Sequence, residues 1–338
     1  MSTRAGIKDV AALARVSVGT VSNVLNRPDS VAEETRQRVE VAIKELGFVR
    51  NASARQLRAG HSQIVGVVVL DLSNPFYTEL ARGIEDRLAL DDHTLMICSS
   101  DQDPARERSF LRLFAEQGVR GVLVTPMEST AENLDALSRY DIPAVLIDAL
   151  SGSHASVGVD DTEGARQAVA HLVDEGHTRI GFLNGPMSLE QCQHRHAGAV
   201  AALRERGIDP AEALVEINLD SMYADAGQDG MEALLDLPVP VTATFCVNDT
   251  VALGAMRELR LRNLSIPRHM AMVGYDDVAF ASELMTPLSS VNQPMRKLGW
   301  TAADLLLRGA PASEHVVFTP ELVVRESSRR NPKSRRHL

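Results

Sequence analysis

Residues Ile7 to Asn26 read IKDVAALARVSVGTVSNVLN. At helical spacing Val10, Leu13 and Ala14 form one apolar stripe and Val21, Val24 and Leu25 a second, with Ala14-Arg15-Val16-Ser17 between them. This spacing predicts two short helices meeting at a tight turn. Ser17 is placed to cap the second helix, its hydroxyl accepting from an otherwise unpaired backbone N–H of the first turn. The outward face is then Val18, Gly19, Ser22, Asn23 and Asn26. These groups are small, uncharged and hydrogen-bonding or methyl-bearing, which suits a DNA major groove better than solvent, where Lys and Glu are expected. A helix-turn-helix reader is the natural hypothesis; an ordinary helical hairpin is the alternative that this stretch alone leaves open.

Outward from this pair, Arg27-Pro28-Asp29-Ser30 is a loop by composition. Glu33 to Leu46 reads as a third helix, with Val39, Ala42, Ile43 and Leu46 on one face and Gly47 as its stop. Three short helices on one small core make a headpiece near the lower size limit for independent folding. Asn51 to Arg58 holds helix formers but is too short to be helical alone, which makes it a candidate hinge.

The whole chain of 338 residues exceeds the usual single-core size, and 44% hydrophobic content is ordinary for a globular protein. A net charge of −10 argues at first against nucleic acid. It is unevenly divided: residues 1–60 hold ten Lys/Arg against six Asp/Glu, while the remainder holds 25 against 39. A basic head on an acidic body can bind DNA while the body opposes nonspecific adhesion. Cys98, Cys192 and Cys246 lack metal-ligand spacing and read as small buried or pocket-wall groups in a reducing compartment. MSTRAGIKDV has no apolar core of a signal peptide, and no apolar run is long enough to span a bilayer, so a cytoplasmic protein without membrane contact is expected.

From Ile64 the pattern becomes alternating strand and helix. Ile64–Leu70, Leu95–Cys98, Gly121–Thr125, Pro143–Asp148 and Val157–Asp160 are buried-strand candidates, and Phe76–Leu90 is helical. The unit then restarts: Thr162–Glu175 helix, Ile180–Leu183 strand, Arg195–Arg206 helix, Ala243–Val247 strand, Thr250–Arg262 helix, Met270–Tyr275 strand. Two α/β lobes with parallel sheets covered on both faces follow from that repeat. Ligands bind beyond the carboxyl ends of such strands. Those ends carry Asp71 with Ser73-Asn74-Pro75-Phe76-Tyr77, Asp148, Asn184-Gly185, Asn248-Asp249 and Tyr275-Asp276-Asp277. Amides, carboxylates and aromatics around one cleft suit a polyhydroxylated ligand; taken singly, each is equally a turn former or helix cap. The acidic pairs Asp160-Asp161 and Asp276-Asp277 read as caps rather than as a metal site. With no glycine-rich phosphate loop, metal-ligand cluster or nucleophile elbow in the sequence, neither an enzyme nor a cofactor is expected.

The chain resembles the LacI/GalR (lactose and galactose repressor) family of bacterial transcription regulators. DVAALARVSVGTVSNVLN, V-x-x-x-T-R-x-x-V from Val31 to Val39, NASARQL, DLSNPFY, HLVDEGHTRIGFLNG, RHAGAVAAL, VNDTVALGAMRELR, and AMVGYDD followed by TPLSSVNQP carry the likeness in the family's order. It implies a helix-turn-helix headpiece over residues 1–50 and a hinge helix and linker over 51–61. A two-lobed α/β body of the periplasmic-binding-protein kind follows over 62–326, with lobe 1 about 62–161 plus 291–325 and lobe 2 about 162–290. The basic tail 327–338 is expected to be disordered, and without a leucine heptad it offers no coiled-coil tetramer.

The resemblance also implies roles. Val18, Gly19 and Asn23 match base-reading positions; Ser17, Thr20, Ser22 and Asn26 match residues on phosphates or nearby bases, and Lys8, Thr35, Asn51 and Ala54 join the DNA surface. Asn23 is suited to adenine and Val18 to a thymine methyl. Leu57 matches a hinge leucine that wedges into the minor groove and bends the operator. Phe76, Asp148, Gln191, Arg195, Met222, Asn248 and Asp276 match the effector pocket. An ion pair between lobes is the alternative for Arg195 and Asp276. Three departures stand out: Arg15 where relatives often have glycine, Arg50 where many have proline, and Met222 where aromatics often stack on a sugar. The expected protein is a homodimeric repressor on a palindromic operator, its affinity set by a sugar or sugar derivative in the cleft. The alternative is a global regulator controlled by a protein corepressor docked on the body.

Overall fold

The computed structural model describes residues 5–48, 62–127, 130–149 and 153–329. The chain divides into two units, Met1–Ser62 and Gln63–Leu338. In the first, α1 (Ile7–Ala14), α2 (Val18–Asn26) and α3 (Glu33–Leu46) surround a core of Val10, Ala11, Ala14, Val21, Val24, Val39 and Ala42. The inward stripe of α1 is therefore Ile7, Val10, Ala11 and Ala14, a full i, i+3, i+4, i+7 set. Leu13, expected in that stripe, lies off it and is 43% exposed. Ser17 caps α2 as expected, its Oγ accepting from Thr20 N–H at 3.0 Å. Gly47 ends α3 in the left-handed conformation.

Arg15 ends α1 in that same conformation, with φ 55° and ψ 48°. An L side chain pays a steric cost there that glycine avoids. Arg15→Gly is expected to stabilise the headpiece by about 1 kcal/mol. Amide hydrogen exchange in the intact chain checks this: protection across α1 to α3 rises, and unchanged protection contradicts it.

The second unit begins with β1 (Ile64–Val69), a run of Ile and Val around one glycine, buried at every position after the first. Phe114 packs against Gly66, where an added Cβ would lie 2.5 Å from its ring. Then come α4 (Pro75–Ala89), β2 (Thr94–Ser99), α5 (Pro104–Gln117), β3 (Gly121–Val124), α6 (Thr130–Ser138), β4 (Ala144–Ile147) and β5 (Ala155–Val159). The second half has α7 (Asp161–Asp174), β6 (Ile180–Asn184), α8 (Glu190–Glu205), α9 (Pro210–Ala213), β7 (Leu214–Asn218), α10 (Ala224–Leu235), β8 (Ala243–Cys246), α11 (Asp249–Leu261) and β9 (Ala271–Asp276). The chain closes with α12 (Ala279–Glu283), β10 (Ser289–Asn292), α13 (Met295–Leu307), β11 (His315–Phe318) and β12 (Glu321–Val323).

Among the described residues these strands form two six-stranded sheets, ordered β11-β5-β4-β3-β1-β2 and β12-β10-β9-β8-β6-β7. The first five strands of each half thus repeat one order, which places a reversal of strand order beside β1 in one sheet and beside β6 in the other. A ligand crevice belongs at the carboxyl ends of such reversals.

Three expectations change. The second sheet is not wholly parallel, since β12 pairs antiparallel with β10, Val291 opposite Leu322. Residues after Phe318 therefore belong to lobe 2, and only the α13–β11 passage, from Met295 to Phe318, lies in lobe 1. The chain end is also ordered further than expected. Ser327 and Ser328 are fully buried, Ser327 Oγ donating to Met272 O at 2.7 Å and accepting from Ser289 N–H at 2.7 Å. The rest of the expected tail, residues 330–338, lies outside the described residues, as do Arg50, Asn51, Ala54 and Leu57 and the whole expected hinge.

Candidate functional site

In the headpiece, α2 turns Val21 and Val24 inward, which leaves Val18, Gly19, Asn23 and Asn26 exposed and Thr20 and Ser22 half-buried. The polar groups of this face are partly committed to one another. Ser17 Oγ lies 2.9 Å from Thr20 Oγ1, and Asn26 Nδ2 donates to Ser22 O at 2.7 Å and to Ser22 Oγ at 3.2 Å. Val18, at 40% exposure, and Asn23 remain the outward methyl-bearing and amide groups. Lys8 is exposed on α1, and Thr35 is half-buried in the first turn of α3.

In the body, all seven expected effector residues, Phe76, Asp148, Gln191, Arg195, Met222, Asn248 and Asp276, line one cavity. It measures about 370 Å³, counting the mouth open to solvent.

Local folding explains each position. Asn74 caps α4, accepting from Phe76 N–H at 2.9 Å, and Pro75 at the first helical position fixes the entry that carries Phe76 and Tyr77 inward. Asn74 Nδ2 donates across the cleft to Asp276 Oδ2 at 3.2 Å, and Gln293 Nε2 donates to Asp276 Oδ1 at 2.7 Å. Asp276 and Asp277 both have positive φ, 100° and 56°. Buried Asp249 holds this turn, its Oδ2 accepting from Val278 N–H at 3.0 Å and its Oδ1 from Ser290 Oγ at 2.6 Å. Asp148, at the end of β4, also has positive φ, 59°.

Arg195 pairs with Asp161, not Asp276: Nε to Asp161 Oδ1 is 2.8 Å, with both side chains almost fully buried. Its Nη1 donates to Val247 O at 2.6 Å, and its guanidinium lies 3.7 Å from the centre of the Tyr275 ring. Asn248 is engaged as well, Oδ1 capping α11 by accepting from Val251 N–H at 2.7 Å and Nδ2 donating to Met222 O at 3.3 Å. It therefore helps to fix the wall of the cavity. Cys192 Sγ lies 4.0 Å from Met222 Sδ behind that wall. Burial, reinforced by Asp161 and opposed by Arg195, pushes the Asp148 carboxyl up to about 7. Burial pushes Asp276 up to about 6, again against Arg195.

Helix α8 begins at Glu190, five residues before the expected start at Arg195. Its first turns carry Gln191 and Arg195 into the cleft, with Cys192 buried behind them, so polar side chains occupy the buried face and erase the apolar stripe that marks most helices. Leu70, Asp71, Asn74, Tyr77, Gln102 and Gln293 also line the cavity and were not among the expected pocket residues. Asp71, Asn74 and Tyr77 carried a signal as strand-end residues around the cleft; Gln102 and Gln293 sit in connections whose role only the tertiary fold defines. No group of three or more His, Cys, Asp or Glu suited to a metal ion occurs among the described residues, and none of their helices is long and apolar enough to cross a membrane.

A family model described as bacterial regulatory proteins, lacI family, matches residues 6–51, and one described as a periplasmic binding protein-like domain matches residues 169–328. The HTH-type transcriptional repressor PurR of Vibrio vulnificus is 36% identical over 331 residues, covering 96% of this chain and 98% of that protein. Among solved structures, the lac repressor dimer bound to operator and the anti-inducer ONPF superposes with a TM-score of 0.82 at 27% identity, covering 97% of this chain and all of the other. The transcriptional regulator CelR in complex with cellobiose superposes with a TM-score of 0.70 at 30% identity, covering 96% and 100%.

Proposed function

The chain belongs to the lacI family of bacterial regulatory proteins, and from that membership we propose a homodimeric transcriptional repressor whose operator affinity is set by a sugar or sugar derivative bound in the cleft. One observation carries the ligand half of this reading: residues from both lobes that were expected at an effector site line a single cavity. The cellobiose complex of CelR supports the sugar class. For the DNA half, Val18, Gly19 and Asn23 are outward on α2, with Ser17, Thr20, Ser22 and Asn26 beside them. Val18 is suited to a thymine methyl and Asn23 to adenine N6 and N7. The operator-bound dimer of the lac repressor supports a dimer on a palindrome, whose two-fold axis it would share. Leu57, in the hinge, would wedge the central minor-groove step, so that DNA binding and hinge folding are coupled.

The cleft supplies a mechanism for control. Asn74 of lobe 1 donates to Asp276 of lobe 2, and a ligand hydroxyl that takes over either group changes which arrangement of the lobes is favoured. The ligand shifts operator affinity only by its differential affinity for those arrangements. DNase footprinting of the full chain on the DNA upstream of its own gene tests the regulator reading. A protected palindrome whose affinity falls steeply with salt is expected; uniform, sequence-independent protection overturns it.

A further inference from the structure

Asp71, Asp148 and Asp276 line the cavity beside one cation, Arg195. That cation is largely spent, on Asp161, on Val247 O and on the face of Tyr275. Asp71 is satisfied locally, its oxygens accepting from Ser73 N–H at 2.7 Å and Ser73 Oγ at 2.8 Å. Asp276 receives the amides of Asn74 and Gln293. Asp148 Oδ1 receives none, although the residue is only 7% exposed. Elsewhere in the lining, Gln293 Oε1 and Gln102 Oε1 are also buried and without a partner, the Nε2 of Gln293 being committed to Asp276. All three unpartnered atoms are acceptors, and the wall that carries them is acidic. A buried acceptor left unpaired is costly, a buried carboxylate more so, and a second anion brought beside them adds repulsion.

We propose that the cleft accepts a ligand that offers O–H or N–H donors to Asp148 and Gln293 and carries no phosphate or carboxylate group, Asp148 being the residue that enforces the charge rule. This rests on the effector reading above and narrows it, separating neutral and amino sugars from sugar phosphates and sugar acids. The charged and titratable groups that face Asp148 are Asp161 at the start of α7, Glu190, Cys192 and Arg195 on α8, Tyr275 and Asp276 at the end of β9 and Tyr77 on α4. Arg195 alone favours the Asp148 anion, and burial with the neighbouring carboxylates outweighs it. Asp148 is held above its ordinary carboxylate value, to about 7, so its anion weakens the free protein progressively as pH rises toward 7 and fully above it.

The test uses the full chain and one ring without and with a phosphate: glucose, glucosamine and glucose 6-phosphate, titrated at pH 8 and fixed ionic strength and followed by thermal shift. Glucose and glucosamine are expected to bind roughly tenfold more tightly than the phosphate ester, and Asp148→Asn to narrow that gap to about threefold. Without ligand, Asp148→Asn is expected to melt about 5 °C above wild type at pH 8 and level with it near pH 4. Phosphate binding as tight as glucose, or a lower melting temperature of Asp148→Asn at pH 8, overturns the proposal. Footprinting of the same preparations separates the two readings, since loss of operator protection strikes the regulator assignment and leaves the charge rule to the thermal data.

Discussion

Arg195→Met is expected to destabilise the body by about 3–5 kcal/mol, because it leaves the Asp161 carboxylate buried without its counter-ion. Asp161 and Arg195 are 3% exposed, the Val247 carbonyl loses its donor, and the Tyr275 ring loses the cation stacked on it. The melting temperature should fall by roughly 10 °C. The loss comes from the orphaned charge, so Asp161→Leu placed on top of Arg195→Met should restore part of it, and the double-mutant cycle should be strongly non-additive. A thermal melt of the four chains reads this directly. Additive losses would mean that the pair is not the anchor the geometry indicates. Response to a cleft ligand should vanish in Arg195→Met even where the fold persists, because the start of α8 also carries Gln191 into the cavity.

The second large effect falls on DNA. Asn23→Ala is expected to weaken operator binding by about 1–3 kcal/mol for each half-site, hence about 2–6 kcal/mol for a dimer engaging both. Stability should change by less than about 0.5 kcal/mol, since Asn23 is exposed on α2 and alanine is the better helix former. Anisotropy titrations on the footprinted site and on a scrambled duplex separate the two contributions. Specific affinity drops while nonspecific affinity and its salt slope stay unchanged. Equal losses on both duplexes would place Asn23 on the phosphate backbone instead of a base edge.

The headpiece is legible because its helices have apolar stripes and strong ends: Ser17, Gly47 and the run from Glu33 to Leu46 act locally, and α3 has the expected bounds. Leu13 misleads because it sits one position from the stripe, and only the packing of three helices decides which of Ala11 and Leu13 turns inward. The strands are legible as Val-rich runs, and the strand-end residues Asp148, Asn248 and Asp276 do meet at one cavity. Partner choice inside the cavity is not legible. That Arg195 turns to Asp161 instead of Asp276 depends on where α7 begins relative to α8, a tertiary relation without a sequence signal. Gln293 enters the site because the chain passes from β10 toward α13 beside Asp276, and β12 returns to the second sheet as an antiparallel edge that no local pattern announces.

The central claim is a coupling between cleft and operator, and it has a direct measurement: anisotropy of the full chain on its footprinted operator, titrated in the absence and presence of saturating cellobiose, glucose or glucosamine. The account predicts that at least one of these shifts operator affinity by roughly tenfold, about 1.4 kcal/mol, and that Arg195→Met abolishes the shift. Operator affinity that stays the same while a sugar demonstrably occupies the cleft would contradict it.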